Sequence, residues 1–269
     1  MKAPGKVNLC LLVGAPRPDG LHPLVSLVQP VDLADTLELK DRVKGSDPFT
    51  TSLASDEVVC EGVDGENLAL RALREFRAAT GWDGPPLTIE ITKRIPIAAG
   101  MAGGSSDAAA ALRIISEVSG IAVPEDVPMR LGADVTVMLR GERALMTGAG
   151  EHVEPLPGEK PPLIVVPVDA ALGAGEVYRE FDANDTPRSP DELAAAAEAL
   201  RHGVYEPVND LEPAARRLCP LIDRALQALR DVGAESPMVS GSGPTVFGIS
   251  DDPEALAFLQ TAYPRAVAA

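Results

Sequence analysis

The sequence predicts an α+β fold in two domains. Segments typical of strands and helices occur in mixed order, without the regular alternation that a doubly wound parallel sheet requires. At 269 residues, the chain is long enough for two modest domains that share a cleft. Residues 155–162 are rich in proline, glycine and charge, which is typical of a linker. We therefore predict an N-terminal domain at 1–155 and a C-terminal domain at 156–269.

The first half of the chain contains three predicted strands and two predicted helices. A helix over 66–79 is indicated by apolar residues at helical spacing, with Asn67 as its N-cap and Gly81 as its end. The segment 87–92 alternates apolar and polar residues, as a half-buried strand does. The other predicted elements here are strands at 7–13 and 36–40, and a helix at 106–119 that Gly120 ends.

The second half begins with an apolar strand at 163–168. Ser189-Pro190-Asp191-Glu192 has the form of a capping box with proline at the first helical position, so we predict a helix from there to Gly203. A helical pattern over 212–232 contains Pro220, which we expect to break it in two. Residues 238–250 indicate a strand, a glycine-rich turn and a second strand.

Composition excludes several classes of function. The net charge is −16 and aromatic residues make up 3% of the chain, so binding to nucleic acid or to an anionic membrane is disfavoured. Three widely spaced cysteines without a CxxC pattern argue against structural zinc and for a reducing compartment. We find neither a secretory leader pattern nor an apolar run of 18 residues. We therefore expect a soluble, cytoplasmic protein.

Residues 96–106, which we call the cradle, are the strongest single motif. Glycines at 100, 103 and 104 allow the backbone to approach a ligand closely, and Ser105 and Ser106 add hydroxyl groups. The alanine-rich run that follows would direct the positive end of a helix at the same place. This combination is typical of a phosphate-binding loop, although no Walker A lysine closes it. Taken alone, it could also be a glycine-rich turn that caps a helix.

Two further motifs resolve that ambiguity. Ala-Pro-Gly-Lys-Val-Asn-Leu occupies 3–9, and Val-Ser-Gly-Ser-Gly-Pro-Thr occupies 239–245. Together with the cradle, and in this order, they resemble the three motifs of the GHMP kinases, which transfer phosphate from ATP to small molecules. The resemblance implies a two-domain fold with the active site in the cleft between the domains.

Other segments resemble one branch of that family, whose substrate is a cytidine diphosphate-linked polyol of isoprenoid biosynthesis. They are Asp-Gly-Leu-His at 19–22, Asp-Leu-Ala-Asp-Thr at 32–36, Leu-Gly-Ala-Asp-Val at 131–135, Gly-Ala-Gly-Glu at 148–151 and Asn-Asp-Leu-Glu-Pro at 209–213. The resemblance runs from about residue 3 to 250.

The resemblance implies a role for each matching residue. Asp134 would be the base that deprotonates the attacking hydroxyl, and Lys6 would stabilise negative charge beside it. The implied ATP-binding residues are Asn67, Lys93, Pro96, Ala98, Gly100, Met101, Ala102, Gly103, Gly104, Ser105 and Ser106. The implied substrate-binding residues are Asn8, Leu21, His22, Tyr178, Gly241 and Ser242. ATP is the expected co-substrate with Mg²⁺, no metal ligand is assigned in the protein, and the expected assembly is a monomer or homodimer.

Two departures from the family pattern concern ligand binding. Leu21 replaces the usual tyrosine, which removes a ring from the cytosine side. Met101-Ala102 replaces Leu-Gly, which is tolerable only if Ala102 has a negative φ or can carry the strain.

Two alternatives stay open at this point. The chain could be another GHMP kinase, acting on mevalonate, homoserine or a sugar, or a non-catalytic protein of the same fold. Each singled-out residue also has a plain structural reading: Lys6 as a solvated charge, Asp134 as a turn residue, and His22 and Tyr178 as packing residues.

Overall fold

The computed structural model describes residues 1–40, 55–62 and 67–269. No helix in those ranges is long and apolar enough to cross a membrane. The strands are β1 Lys2–Val13, β2 Leu24–Leu39, β3 Glu57–Cys60, β4 Thr88–Thr92, β5 Ala144–Gly148, β6 His152–Pro155, β7 Leu163–Val166, β8 Glu235–Val239, β9 Val246–Ile249 and β10 Val267–Ala268. The helices are α1 Leu68–Thr80, α2 Gly103–Ser119, α3 Asp126–Leu131, α4 Ala133–Arg140, α5 Ala174–Asn184, α6 Pro190–Arg201, α7 Glu212–Leu218, α8 Leu221–Asp231 and α9 Pro253–Ala262.

The first sheet is organised around the long strand β2. In the described part of the chain its order is β3-β4-β2-β5-β6, and β1 also pairs with β2. The β1–β2 pairing is antiparallel and runs from Lys2 opposite Thr36 to Val13 opposite Leu24. A register shift lies between Pro4 and Lys6, and Lys6 faces Pro30 across the ladder. Bulges of this kind re-aim a side chain, and this one lies at the predicted catalytic lysine.

The second sheet is antiparallel, with the order β10-β7-β9-β8. Every described strand up to Pro155 belongs to the first sheet, and every described strand from Leu163 belongs to the second. Helix α6 nevertheless packs against β2 and β5 of the first sheet. The predicted boundary at 155/156 therefore matches the division of the sheets, but as a boundary between independent domains it stays a prediction.

The packing of α2 sets the position of the cradle. This helix carries a run of buried alanines and packs against α1, α4 and β1. Alanine side chains are short, so neighbouring backbones can approach closely, and burial of the run stabilises the helix beyond its propensity. The N-terminal end of α2 is thereby held against the first sheet, where β1 presents Lys6.

Local sequence signals predicted several element ends correctly. Asn67 caps α1 by accepting a hydrogen bond from the Ala69 N–H at 2.8 Å, and Gly81 ends it with φ +69°. Both hydrogen bonds of the predicted capping box at Ser189 are present. Pro220 separates α7 from α8 as expected. The predicted helix start at residue 66 lies outside the described residues.

Other predicted elements were incomplete. The strand predicted at 36–40 is only the end of β2, because Leu24–Ala34 is almost wholly buried and therefore lacks the alternation that reveals a half-buried strand. Helix α2 begins three residues earlier than predicted, at Gly103. Helices α3, α4, α5 and α9 and strands β5 and β6 were not predicted. The α+β class is confirmed by the mixed element order.

Candidate active site

A cavity of about 870 Å³ lies where the predicted motifs meet. Its walls come from β1, the turn after β1, the cradle, the first turns of α2, α4 and α5, and the glycine-rich turn between β8 and β9. The predicted site residues that line it are Lys6, Asn8, Leu21, His22, Asn67, Lys93, Pro96, Ala98, Gly100, Ala102, Gly103, Gly104, Ser105, Asp134, Tyr178, Gly241 and Ser242.

Lys6 and Asp134 both line this cavity and lie close together. The Lys6 Nζ lies 3.8 Å from Asp134 Oδ2 and donates to Asn8 Oδ1 at 2.7 Å. Lys6 is only 5% exposed, so its ammonium is not a solvated surface charge. Asp134 is the second residue of α4, so its carboxylate lies at the positive end of that helix. An ammonium and a carboxylate are thus held together where a ligand can reach both.

Asn8 is fixed by a chain of hydrogen bonds. Its Nδ2 donates to Ser26 Oγ at 2.7 Å, and Ser26 Oγ donates to the Cys10 carbonyl at 2.8 Å. Its Oδ1 therefore faces Lys6, and the pair adopts a single orientation. Gly241 closes this corner, since a Cβ there would lie 3.2 Å from Asn8 Oδ1 and 3.3 Å from Lys6 Nζ.

The cradle ends in an open helix terminus. The first intrahelical hydrogen bond of α2 runs from Ser106 N to Ala102 O, so the N–H groups of Gly103, Gly104 and Ser105 precede it. No side chain of the described residues caps this terminus. Gly103, Gly104 and Ser105 all line the cavity, so the terminus opens into it. Such a terminus is suited to bind phosphate groups.

Backbone strain accompanies this arrangement. Ala98 and Ala102 have φ +54° and +55°, the left-handed region that disfavours residues with a Cβ. Of the two possibilities for Ala102, a negative φ or tolerated strain, the structure therefore shows strain. Gly100 also has positive φ, and a Cβ there would collide with the Ser240 and Gly243 carbonyls. The cradle and the turn between β8 and β9 are in direct contact at this point.

Two predicted ATP-binding residues do not line the cavity. Met101 is 1% exposed and packs in the core, while its carbonyl accepts a hydrogen bond from the Lys6 N–H at 3.1 Å. Ser106 is equally buried, and its hydroxyl donates to the Pro4 carbonyl at 2.6 Å. Both residues join the cradle to β1. A motif does not show the direction of each side chain, and contact of these two residues with ATP stays a prediction.

The residues predicted to bind the base line the cavity as well. The rings of His22 and Tyr178 lie 4.9 Å apart at 36°. His22 Nδ1 is 2.9 Å from the Gly14 carbonyl, and its Nε2 is 3.5 Å from Asp182 Oδ2. Burial raises the pKa of Tyr178 to about 12, and the charge of Asp134 adds to that shift, so the phenol stays neutral. Leu21 is 53% exposed on the cavity rim and is not a core residue.

Asn67 and Lys93 are engaged by protein partners. The Asn67 side chain caps α1, which is a structural role. Lys93 Nζ binds two carboxylates, Asp35 at 2.5 Å and Asp107 at 2.7 Å. Both residues still line the cavity, so contact with a nucleotide stays a prediction for each.

Several cavity residues were missed by the sequence reasoning. Asp107 lies directly behind the cradle, and Arg179 and Asp182 lie on α5 beside Tyr178. The spacing of Tyr178 and Asp182 by four residues would have placed them on one helical face, had α5 been predicted. Asp107 follows the two cradle serines directly and was read only as part of the helix.

The chain matches two family descriptions. Residues 67–143 match the GHMP kinases N terminal domain, and residues 181–269 match the GHMP kinases C terminal domain. A 4-diphosphocytidyl-2-C-methyl-D-erythritol kinase from Anaeromyxobacter sp. (strain Fw109-5) is 40% identical over 257 residues, which cover 91% of this chain and 80% of the relative. The chain belongs to the GHMP kinases, in the 4-diphosphocytidyl-2-C-methyl-D-erythritol kinase family.

Other relatives of this kinase family agree. The kinase of the same name from Caulobacter vibrioides (strain NA1000 / CB15N) is 38% identical, with 92% of this chain and 88% of the relative covered. A crystal structure of 4-(cytidine 5'-diphospho)-2C-methyl-D-erythritol kinase superposes with a TM-score of 0.78 and 34% identity, covering 100% of this chain and 97% of that one. A crystal structure of mevalonate kinase shares the fold, with a TM-score of 0.63 and 14% identity over 100% of this chain and 97% of that one.

Proposed function

We propose that this kinase uses ATP to phosphorylate the 2-hydroxyl of 4-diphosphocytidyl-2-C-methyl-D-erythritol in isoprenoid precursor biosynthesis. The observation that carries the proposal is the position of Lys6 and Asp134. They lie 3.8 Å apart in the cavity that also receives the open terminus of α2 and the His22–Tyr178 pair. A phosphate donor bound at the α2 terminus and a nucleoside-linked acceptor bound at the ring pair could therefore both reach these two charged groups.

The chemistry needs positioning more than a covalent intermediate. Phosphoryl transfer passes through a loose transition state, so the protein must align the hydroxyl with the γ-phosphate and stabilise charge. Asp134 would accept a hydrogen bond from the hydroxyl and take its proton late in the transfer. Lys6, fixed by Asn8 at 2.7 Å, would stabilise the negative charge that develops on the transferred oxygens.

The cradle would bind the triphosphate. The three N–H groups at the start of α2 would donate to phosphate oxygens, and the positive end of the helix favours the same charge. Mg²⁺ would enter as part of the MgATP substrate, held by the phosphates and neutralising part of their charge. The net charge of the chain is −16, so these local groups must overcome an unfavourable overall field.

The other end of the cavity would bind the cytidine. The His22 backbone would hydrogen-bond to the base, the Tyr178 ring would lie against it, and Leu21 would cover it from the rim. Gly241 and Ser242 would lie on the polyol side, near Asn8. We also expect the enzyme to act in the cytoplasm on small molecules, as a monomer or homodimer.

An ATP-consumption assay with three acceptors tests this function. We expect rapid ADP formation with 4-diphosphocytidyl-2-C-methyl-D-erythritol and at most background rates with mevalonate and homoserine. CMP should inhibit the reaction by competing for the base site. Equal rates with mevalonate or homoserine would favour another GHMP kinase, and no rate with any acceptor would favour a non-catalytic protein of this fold.

A further inference from the structure

We propose that Asp107 and Asp35 are positioning residues for ATP binding, which hold the Lys93 ammonium beside the cradle, and that nucleotide binding is accompanied by uptake of a proton at Asp107. The inference rests on the proposed function in one respect, since ATP is the ligand. It assigns a role to two carboxylates that the site described above does not use.

The three side chains form a compact buried cluster. Lys93 Nζ lies between Asp35 Oδ2 and Asp107 Oδ2, and the two carboxylate side chains are 0% and 4% exposed. Asp35 Oδ1 also accepts hydrogen bonds from the backbone N–H groups of Arg94 and Ile95. The cluster thus ties together β2, the segment after β4 and the second turn of α2.

This cluster stands directly behind the cradle. A Cβ on Gly103 would lie 3.4 Å from Lys93 Nζ and 3.0 Å from Ile95, the residue whose N–H Asp35 binds. The Lys93 ammonium therefore lies next to the first residue of α2, which carries one of the free N–H groups. With two carboxylates already bound, the Lys93 ammonium is better placed to support the cradle than to pair fully with a phosphate.

The charge of the cluster is unbalanced. One ammonium faces two carboxylates, so the fully ionised cluster carries a net negative charge next to the place proposed for the triphosphate. Asp107 Oδ1 is buried and has no hydrogen-bond partner among the described residues. A buried carboxylate oxygen without a donor is costly, whereas a protonated Asp107 could donate to Asp35. Retaining a proton at Asp107 removes both problems.

The titration of Asp107 agrees with this geometry. The pKa of Asp107 is raised to about 6, mainly by burial and in part by the Asp35 carboxylate, while Lys93 opposes the shift. Within the described ranges, Cys60 on β3 also interacts with the charges of the cluster, and its pKa is raised above the ordinary thiol value, mainly by burial. Cys60 therefore stays neutral over the pH range in which Asp107 changes its charge.

The sign of the linkage follows. The phosphates of bound ATP add negative charge beside the cluster, so the pKa of Asp107 must be higher in the complex than in the free protein. ATP then binds more tightly to the protonated form, and its affinity falls as pH rises from 6 through the pKa of the complex. A further shift of half to one pKa unit corresponds to a change of about three- to tenfold in affinity.

Calorimetric titration with MgAMPPNP between pH 5.5 and 8, on the parent protein and Asp107→Asn, tests the inference. Ionisation of the nucleotide is the same in both titrations, so the ratio of the two dissociation constants isolates Asp107. We expect the dissociation constant of the parent, divided by that of Asp107→Asn, to rise by about three- to tenfold between pH 5.5 and 8. A ratio that stays constant within about twofold would overturn the proton linkage.

A matched control uses a buried carboxylate outside the cavity. Asp56 is 4% exposed and binds Arg77 through both oxygens, at 2.6 and 2.8 Å. Asp56→Asn should lower stability and leave the pH dependence of nucleotide affinity as in the parent. If it flattens that dependence as Asp107→Asn does, the effect is general destabilisation and the assignment fails.

A second measurement needs no substitution and covers the case in which Asp107→Asn does not fold. Calorimetry of the parent protein at pH 6.5, in two buffers of different ionisation enthalpy, counts the protons taken up on binding. The protons that AMPPNP itself takes up or releases are determined from a separate titration of the nucleotide and subtracted. We expect a net uptake, and a value of zero would contradict the inference. Nucleotide binding without proton uptake leaves the proposed function intact, whereas no binding at any pH contradicts both.

Discussion

The proposed phosphate end of the cavity, around the cradle, and its proposed base end, around His22 and Tyr178, are built by different means. At the proposed phosphate end the wall consists of backbone N–H groups and glycines, and the side chains of Lys6, Asp35 and Asp107 close by are almost wholly buried. At the proposed base end the wall consists largely of side chains, and Leu21 is half exposed on the rim. A backbone site tolerates few changes, since each one disturbs neighbouring segments, while a rim side chain can vary alone. The exposed side chain of Leu21 can therefore be substituted without change to the fold.

The largest effect of a substitution is expected at the reacting groups. Asp134→Asn keeps the size of the side chain but removes the proton acceptor, so kcat should fall by about 10²–10⁴. Binding of ATP, measured by calorimetry, should change little because the cradle does not include Asp134. A kcat within threefold of the parent would contradict the assignment of Asp134.

The next largest effect is expected in the cradle. Gly103→Val would force a Cβ to within 3.0 Å of Ile95 and place methyl groups beside a free N–H. We expect the dissociation constant of ATP to rise by about tenfold or more, which corresponds to about 1.4 kcal/mol. Gly104→Ala is the matched comparison, because its Cβ would meet nothing within 4 Å and should weaken binding much less. If both variants bind ATP as the parent does, the phosphates lie elsewhere.

A smaller effect is expected at the base end. Leu21→Tyr would restore a ring over the base, worth about 0.5–1.5 kcal/mol beyond the area it buries. KM for the cytidine substrate should fall by roughly three- to tenfold, with ATP binding unchanged. Because Leu21 is 53% exposed, the larger ring should not overfill the core, and the melting temperature should stay the same. A higher KM would place the cytosine elsewhere.

The smallest effect concerns strain in the cradle. Ala102 has φ +55°, a conformation that costs a non-glycine residue about 1–2 kcal/mol. Glycine would remove this strain, but the greater entropy of the unfolded chain would offset about 0.5–1 kcal/mol of the gain. Ala102→Gly should therefore raise the melting temperature slightly, by about 2 °C. Ala110→Gly, within the regular part of α2, should lower it. A decrease in both variants would show that Ala102 is not strained.

Local signals in the sequence were sufficient for part of the fold. Asn67, Gly81, the capping box at Ser189 and Pro220 each act within a few residues, so their effects could be predicted without knowledge of the tertiary structure. The length of β2 could not, because a strand buried on both faces has no alternating pattern.

The candidate site, too, could be predicted only in part from the sequence. The cradle follows from its composition, but the approach of Lys6 to Asp134 depends on how β1 and α4 pack, and only the resemblance to a family suggested it. The inward direction of Met101 and Ser106 and the cluster around Lys93 depend on backbone angles and tertiary contacts that the sequence pattern does not contain.

The proposed reaction transfers the γ-phosphoryl group of ATP to the polyol of the cytidine substrate in the cavity beside Lys6 and Asp134. Phosphorus NMR of a mixture of the protein, MgATP and 4-diphosphocytidyl-2-C-methyl-D-erythritol follows this transfer. We expect a new phosphomonoester signal that grows as the γ-phosphate signal of ATP declines, and a growth slower by about 10²–10⁴ with Asp134→Asn. Release of inorganic phosphate without a phosphomonoester, or an equal rate with the variant, would contradict the account.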